Sequence, residues 1–449
     1  MSGLYIERNE LLAVLSESLD RVEMEVLHVT QHHAKRVAWL CVLMGKKLHM
    51  TEEEISDLVA CALLHDSALN EYKEEYENGK LRAGGDAKKH CIEGEKNLSM
   101  IPGYCVDRGY VLFHHENADG SGAFGKKEAE TPIGAQLIHI ANDMDSKFRL
   151  GEWEDGKLEQ MQCYVKQQTG ILYGTLVSEL FLEVLTQEYL QKLQACEVSS
   201  FLAELPSQKI DLTKEDSRIY SLANLFAQII DYKSPFTKNH SVGLAKKAER
   251  MASVLGWDKE TAAKLYLAGA LHDIGKLFVD NVILEKPGRL NETEYVQIQS
   301  HASWTWNLLS KINGLEEICA WASYHHEKLN GTGYPFKKTG EELGEKERLL
   351  ACLDIYQALT EERPYKVGMQ HTKAINILRE MAKKEELDAV LVEKIAQEFG
   401  SIETEEVEHI ALFSCNVCGY LIEEVELPRG YRCPVCEATE DMFMRVVVK

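Results

Sequence analysis

The chain has 449 residues, of which 45% are hydrophobic and 27% are charged, and its formal net charge is −22. This length suits two or three domains, and the composition is that of a globular protein. The acidic balance argues against a nucleic-acid polymer or an anionic membrane as the main partner, and because no run of about 18 apolar residues exists, we expect a cytoplasmic protein without a membrane span.

Residues 1–200 are predicted to be helical, because long segments alternate apolar and polar residues at helical spacing and contain few prolines. Thr51, followed by three glutamates, is typical of a helix N-terminus. This half also carries ligand-type side chains whose spacing recurs downstream, and they form a candidate metal site: His33, His65, Asp66, His90, His114, His115 and Asn142.

A domain boundary is predicted at Pro206 and the polar residues that follow it. We predict three domains, over residues 1–205, 206–405 and 406–449. Because no Gly/Ser linker intervenes, we expect a long helix to connect the first two.

The second domain contains a denser set of metal-ligand residue types. Its central stretch, Ala270-Leu271-His272-Asp273-Ile274-Gly275-Lys276, is typical of an apolar helix that ends at a His-Asp pair and turns at Gly275. The imidazole can bind one metal ion, and the two carboxylate oxygens can bridge to a second, as a two-metal hydrolase requires. Five histidines and two aspartates make a mixed N/O set for two transition metals: His240, His272, Asp273, His301, His325, His326 and Asp354.

A glycine-rich loop follows the histidine pair, with the sequence His325-His326-Glu327-Lys328-Leu329-Asn330-Gly331-Thr332-Gly333-Tyr334-Pro335. Such a loop can bring its backbone close to a phosphate or form a pocket wall. The segment Arg363-Pro364-Tyr365-Lys366 lies farther along the chain.

In residue types and order, these motifs resemble the HD-GYP family, a branch of the HD phosphohydrolases, over about residues 215–400. The resemblance implies an all-helical domain that binds two or three metal ions, often iron, and hydrolyses cyclic di-GMP. It implies that the seven residues above are the metal ligands, with Asp273 and Lys276 in catalysis. It also implies substrate contacts from Lys276, Tyr334, Arg363 and Lys366.

Three positions depart from the family pattern. Phe236 stands where some members have a carboxylate for a third metal, so we expect two ions, with iron favoured over manganese. Asn330 replaces the usual Asp of the loop, and Gln357 replaces an Asp three residues after Asp354. We expect the last two changes to weaken turnover or to alter substrate choice.

The first half is a diverged copy of the second. The interval from His33 to His65 equals that from His240 to His272, and the interval from His90 to His114 equals that from His301 to His325. Leu69 replaces the catalytic lysine, and Asn142 replaces the last aspartate, with Asp143 as a substitute ligand. We therefore predict a degenerate HD domain that binds metal without catalysis, in a sensing, ligand-binding or scaffolding role.

Residues 406–449 change to β-type patterning and contain paired cysteines: Cys415, Cys418, Cys433 and Cys436. Two CxxC motifs at this separation predict a four-thiolate metal site. The details resemble the rubredoxin-like module of rubrerythrins, whose ion is iron, although zinc ribbons use the same spacing. Both metals therefore stay open, and a domain this small needs one of them to fold.

The sequence predicts a mainly α fold, with two tandem all-helical HD domains and a small β-rich domain. The function expected from the resemblance is a metal-dependent phosphodiesterase acting on cyclic di-GMP. One alternative is a metal, redox or nucleotide sensor, and another is an HD phosphohydrolase for a different nucleotide. A rubredoxin-like module beside a site that could hold iron also motivates the hypothesis of redox-gated activity and a redox partner.

Overall fold

The structure is a computed structural model. It describes residues 3–68, 87–102, 104, 108–152, 156–194, 201–213, 216–231, 240–286, 288–362, 368–400, 411–415, 421–424, 432, 439 and 443–446. The chain divides into two compact units, Met1–Val392 and Glu393–Lys449. The predicted three-domain bounds remain a prediction.

The first half of the larger unit is helical after one short strand. Its elements are β1 (Tyr5–Glu7), α1 (Arg8–Val26), α2 (His33–Lys47), α3 (Glu52–Leu64), α4 (Ala87–Ser99), α5 (Ile133–Phe148), α6 (Lys157–Gln168), α7 (Thr175–Val184) and α8 (Gln187–Gln194). Helix α3 begins as predicted, because Thr51 and Glu54 form a reciprocal capping box at its N-terminus.

The second half repeats this helical character. Its elements are β2 (Lys209–Asp211), α9 (Asp216–Asp231), α10 (His240–Val254), α11 (Lys259–Leu271), α12 (Asn281–Leu284), α13 (Glu292–Leu309), α14 (Glu316–Ser323), α15 (Glu345–Thr360), α16 (His371–Lys383) and α17 (Ala389–Gly400). A 3₁₀ turn, Ile274–Phe278, follows α11.

The prediction of a long connecting helix is wrong. Strand β2 lies in that region and pairs antiparallel with β1, with Ile210 opposite Ile6. Pro206 lacks an amide hydrogen and disfavours helical backbone at the residue before it, which favours an extended connection. Ile6 and Ile210 are both buried, so this pairing anchors the connection against the start of the chain.

Both halves use the same helical plan to gather their histidines. Helix α2 packs against α3, and α10 packs against α11. His33 and His240 are the first residues of α2 and α10, whereas His65 and His272 follow the last residues of α3 and α11. The fold is therefore mainly α, with two tandem all-helical HD domains, as predicted.

The smaller unit contains a three-stranded antiparallel sheet in the order β4-β3-β5. Its strands are β3 (Ala411–Cys415), β4 (Leu421–Glu424) and β5 (Phe443–Val446). Cys415 ends β3, and the other predicted thiolate ligands, Cys418, Cys433 and Cys436, lie outside the described residues. Across the part of the chain that the structure describes, no helix has the length and apolarity to span a membrane.

Candidate active site

Three buried histidines of the second half are oriented by the same local hydrogen bond. Each ring nitrogen Nδ1 lies 2.6–2.7 Å from the backbone carbonyl oxygen three residues earlier, pairing His272 with Gly269, His301 with Ile298 and His325 with Ala322. Because a carbonyl only accepts, Nδ1 carries a proton and donates it. In the neutral ring, this leaves the lone pair of Nε2 for a metal ion.

Asp273 lies between two groups of histidines. Its Oδ2 atom is 3.1 Å from Nε2 of His272 and 4.0 Å from Nε2 of His240, whereas its Oδ1 atom is 3.5 Å from Nε2 of His301. The two oxygens therefore face different histidines, as a bridging carboxylate must. Lys276 Nζ donates to Asp273 Oδ2 at 2.5 Å.

Glycine at position 275 lets this turn approach α13. A Cβ atom there would lie 1.9 Å from the carbonyl oxygen of His301, which no side chain can tolerate. The Thr305 hydroxyl accepts from the Gly275 amide at 3.1 Å and donates to the His272 carbonyl at 2.9 Å. These contacts fix the His-Asp pair against the helix that carries His301.

Asp354 closes the site from α15. Its Oδ1 atom is 3.3 Å from His240 Nε2 and 3.7 Å from His272 Nε2, and its Oδ2 atom is 3.8 Å from His326 Nδ1. The structure therefore places the last predicted ligand beside both groups. One group joins His240, His272 and Asp273, and the other joins His301, His325 and His326, with ligand atoms within 4.8 Å of one another in each.

These side chains fit two transition-metal ions. The Nε2 atom of His272 is buried and has no hydrogen-bond partner among the described residues, although a carboxylate oxygen lies 3.1 Å away. With Nδ1 holding the ring proton, both facing atoms are acceptors, and a cation between them would satisfy both. Burial lowers the pKa of His301 to about 3, so this ring is neutral near pH 7, as a ligand must be.

The surroundings of His240 shift its pKa in the opposite direction to that of His301. Burial opposes protonation, but the carboxylates of Asp354 and Glu361 raise the pKa of His240 to about 9. Burial also opposes ionisation of Asp273, yet the neighbouring His272 and Lys276 hold the pKa of Asp273 well below its usual value. The two aspartates are therefore ionised at neutral pH, and the site attracts cations.

The glycine-rich loop covers the second histidine group. The Tyr334 amide donates to the His326 carbonyl at 3.2 Å, and the two ring centroids lie 4.7 Å apart. The buried Glu327 carboxylate accepts from the amides of Phe336 and Lys338 at 2.6 and 2.9 Å, which closes the loop. Tyr334 is thus beside the site, whereas Arg363 and Lys366 lie outside the described residues.

The substituted family positions have structural partners of their own. Asn330 Oδ1 accepts from the backbone amide and the hydroxyl of Thr332, so Asn330 closes a turn. Gln357 is buried, and its Oε1 atom accepts from Lys247 at 2.7 Å. Phe236 lies outside the described residues.

Sequence reasoning missed Glu361. Its Oε2 atom lies 2.9 Å from His240 Nδ1, the ring nitrogen that faces away from Asp354. Glu361 directly follows the last residue of α15 and stands seven positions after Asp354. That spacing was the signal that could have revealed it.

The first half assembles its own histidines in the same way. Asp66 Oδ2 is 3.2 Å from His65 Nε2, and Asp66 Oδ1 is 3.2 Å from His90 Nε2. His33, His114 and His115 join these residues in two groups of candidate metal ligands. Asn142 lies in α5, near His65.

Asp143, the predicted substitute ligand, lies among tyrosines instead. Its Oδ2 atom accepts from the Tyr173 hydroxyl, and the hydroxyl of Tyr164 lies 3.5 Å away. The carboxylate of Asp143 is thereby engaged away from the histidine groups, so this prediction is wrong. The adjacent residue on a helix points about 100° away, which explains why Asp143 cannot replace Asn142.

Comparisons with known proteins agree with this geometry. Residues 224–391 match the family model described as HD domain, and residues 413–444 match the rubredoxin-like domain of rubrerythrin. A 3'3'-cGAMP-specific phosphodiesterase of Vibrio cholerae is 28% identical over 395 residues, covering 85% of this chain and 90% of the relative. A cyclic di-GMP phosphodiesterase of Pseudomonas aeruginosa is 34% identical over 149 residues, covering 32% and 35% of the two chains.

A solved structure has the same fold. The crystal structure of a cyclic GMP-AMP-specific phosphodiesterase from V. cholerae superposes with a TM-score of 0.61 at 22% identity, covering 88% of this chain and 98% of that one. Together with the paired histidine groups, these matches confirm the predicted resemblance, because the chain contains an HD domain over residues 224–391 and a rubredoxin-like domain over residues 413–444.

Proposed function

We propose that the chain is a metal-dependent cyclic-dinucleotide phosphodiesterase that acts at the site centred on Asp273. The observation that carries the proposal is the position of this carboxylate, whose two oxygens face different histidine groups at 3.1 and 3.5 Å. Lys276 lies beside it. A carboxylate placed in this way could bridge two metal ions, and paired ions can stabilise both the attacking and the leaving oxygen of a phosphodiester.

Each residue has a distinct task in this proposal. His240, His272 and Asp354 would hold one ion, and His301, His325 and His326 would hold the other, with Asp273 available to both. Bound ions would supply Lewis acidity and lower the pKa of a water molecule. Lys276 lies where its charge can stabilise a phosphate oxygen as negative charge grows on it. Tyr334 forms part of the pocket wall, and Arg363 and Lys366 are proposed phosphate contacts.

The metal-ligand chemistry leaves several first-row ions open, and we propose iron, with manganese as the alternative. The four-thiolate site of the rubredoxin-like domain would hold iron or zinc. Redox control of the hydrolase by that domain, and a redox partner, remain hypotheses that depend on iron there. Metal analysis of the purified chain tests these redox hypotheses, because a zinc ion in the four-thiolate site could not carry an electron.

For the substrate, the sequence predicts cyclic di-GMP. The relative that aligns along 90% of its own length is specific for 3'3'-cGAMP, whereas the cyclic di-GMP relative aligns over 35% of its length. Both molecules join two nucleotides through 3'–5' phosphodiester bonds and contain guanine. We therefore propose a guanine-containing cyclic dinucleotide as the substrate class, with these two molecules as the candidates to compare.

The test is hydrolysis of both dinucleotides by the full chain purified without oxygen, with metal content measured on the same sample. We expect turnover of at least one dinucleotide and its loss in Asp273→Ala, together with loss of bound metal. Asp143→Ala is the matched control, since this carboxylate lies outside the histidine groups. A metal-loaded wild-type protein that cleaves neither dinucleotide would refute the proposed function and favour the sensor alternative.

A further inference from the structure

The N-terminal half contains a complete second set of ligand-type side chains in its interior. One group joins His33, His65 and Asp66, and a second joins Asp66, His90, His114 and His115, with ligand atoms within 4.8 Å of one another in each group. The aspartate belongs to both groups, as Asp273 connects both groups of the other half. His33, His65 and His114 are fully buried.

Two histidines of this set donate their Nδ1 protons to backbone carbonyls, and their Nε2 atoms lack a hydrogen-bond donor in the part of the chain that the structure describes. Nδ1 of His65 donates to the Ala62 carbonyl at 2.9 Å, and Nδ1 of His114 donates to the Val111 carbonyl at 2.6 Å. The Nε2 atoms of both rings are buried and have no hydrogen-bond partner among the described residues. In the neutral ring, the lone pair of His65 faces Asp66 Oδ2 at 3.2 Å, and a metal ion between them would satisfy both.

Glu23 on α1 adds an unpartnered carboxylate. The residue is 1% exposed, and neither oxygen has a hydrogen-bond partner within the described part of the chain. Burial, followed by the nearby carboxylates of Asp66, Asp20 and Asp145, raises the pKa of Glu23 well above its usual value. Because neither oxygen of this buried carboxylate has a donor among the residues described, a nearby cation would favour the ionised form of Glu23.

The neighbouring acids already have cationic or amide partners, whereas neither oxygen of Glu23 has a partner among the described residues. Asp145 accepts from Arg36 at 2.6 Å and lies 2.6 Å from His33. Asp20 accepts from the backbone amide of His32 at 2.7 Å. Among the described residues, no lysine or arginine forms an ion pair with Glu23 or Asp66. Buried negative charge of this kind requires protonation or a bound cation.

We propose that the N-terminal half binds two transition-metal ions, with Asp66 shared between them and the buried, unpartnered carboxylate of Glu23 adding negative charge near the site. Glu23 would replace the charge that Asn142 lacks. Imidazole and carboxylate donors suit divalent iron, manganese or zinc. The site binds metal without hydrolysing phosphodiesters, because Leu69 occupies the position of Lys276 and provides no charge for a phosphate.

The test counts metal ions in the full chain, in an Asp273→Ala background that weakens the catalytic site. After anaerobic loading with Mn(II) and desalting, we expect Asp66→Ala in that background to retain about two fewer ions per chain. In an otherwise wild-type chain, Asp66→Ala should preserve dinucleotide hydrolysis if the protein remains folded by circular dichroism. An unchanged metal content in folded Asp66→Ala would overturn the proposal.

Glu23 is tested separately with an isosteric change on the same helix. Mn(II) titration of Asp273→Ala should show that adding Glu23→Gln raises the dissociation constant of the N-terminal site by about 10-fold or more. Glu25→Gln is the matched control, because Glu25 is exposed and accepts from Asn281. Equal affinities for the two variants would exclude Glu23 from the site.

Discussion

The Nδ1 atom of His240 lies 2.9 Å from the Oε2 atom of Glu361, on the side of the ring opposite Asp354. In the first half, the equivalent ring, His33, places its Nδ1 atom 2.6 Å from Asp145. Asp145 lies three residues after Asn142, as Gln357 lies three residues after Asp354. The catalytic copy therefore orients its first histidine with a carboxylate four positions farther along, just after the end of α15.

This relationship predicts the effect of Glu361→Gln. The amide keeps the size of the side chain but removes the charge that orients His240 and increases its basicity. We expect metal affinity and kcat/KM to fall by about 10-fold to 100-fold, without a change in helical content. Metal titration and steady-state kinetics measure both effects. Glu362→Gln, at the adjacent exposed position, should behave as wild type.

Lys276 should contribute to turnover of the substrate and not to metal binding. Its ammonium group donates to Asp273 at 2.5 Å and is partly exposed to the pocket. Lys276→Ala should lower kcat by about 100-fold, the scale found when one donor to a developing charge is removed. Metal content should stay within error of wild type. Lys286→Ala, which removes an exposed pair with Glu294, is the control.

A different result would reassign Lys276. If Lys276→Ala loses metal in proportion to activity, the lysine serves to hold Asp273 in place. Lys276→Arg separates the two roles further, because guanidinium keeps the charge but changes its geometry. Partial recovery of kcat in Lys276→Arg supports contact with the phosphate.

The candidate metal ligands could be predicted from the sequence because they lie in short motifs. His272 and Asp273 are adjacent, the two histidines of the second pair are adjacent, and each pair lies just after the end of a helix. Glu23 has no such signal, because it lies far before Asp66 in an ordinary amphipathic helix. Its role depends on how α1 packs. The pairing of β1 with β2 could not be predicted from the sequence either, because both strands are very short and most of the first half of the chain separates them.

Two glycines in the loop that follows His326 differ in the space around them, so one substitution can serve as the control for the other. A Cβ atom at Gly333 would lie 2.4 Å from the Lys328 amide nitrogen, whereas one at Gly340 would meet its nearest atom at 3.5 Å. We expect Gly333→Ala to displace Tyr334 and destabilise the fold by about 1–3 kcal/mol. Activity should fall at least 10-fold. Gly340→Ala should keep both activity and melting temperature.

The N-terminal half has an equally crowded loop glycine at position 122. A Cβ atom at Gly122 would lie 2.5 Å from the Cα atom of Glu116, so this loop has the same close approach. Gly122→Ala should lower the melting temperature as Gly333→Ala does, because the steric cost is similar. It should leave dinucleotide hydrolysis of the folded protein intact. Loss of hydrolysis at a temperature where the protein is fully folded would mean that the N-terminal loop takes part in the reaction.

A buried charge network should dominate the stability of the first half. Asp57 accepts from Arg8 at 3.2 Å and from Arg108 at 2.7 Å, and both Arg8 and Asp57 are buried. Asp57→Ala leaves the buried Arg8 without its charged partner, and we expect a loss of about 3–5 kcal/mol. Denaturant unfolding measures this. Removing the exposed pair of Lys96 and Glu93 by Glu93→Ala should change stability by less than about 1 kcal/mol.

Helix α1 lies against the catalytic turn, and this contact gives the last prediction. The Arg21 guanidinium lies 5.1 Å from the ring centroid of Phe278, and Phe278 stacks on Trp304 at 4.5 Å. Phe278 ends the 3₁₀ turn that contains Lys276, and Trp304 lies three residues after His301. A substitution of Arg21 should therefore perturb both the 3₁₀ turn that contains Lys276 and the helix that carries His301.

We expect Arg21→Ala to cost about 0.5–2 kcal/mol of stability, the range of a partly buried cation–π contact. Because the turn then loses one of its supports, kcat should fall several-fold while metal content stays constant. Lys47→Ala, which breaks an exposed pair with Glu183, is the control for a lost surface cation. An unchanged kcat in Arg21→Ala would mean that α13 alone holds the turn through Thr305, whose hydroxyl accepts from the Gly275 amide and donates to the His272 carbonyl.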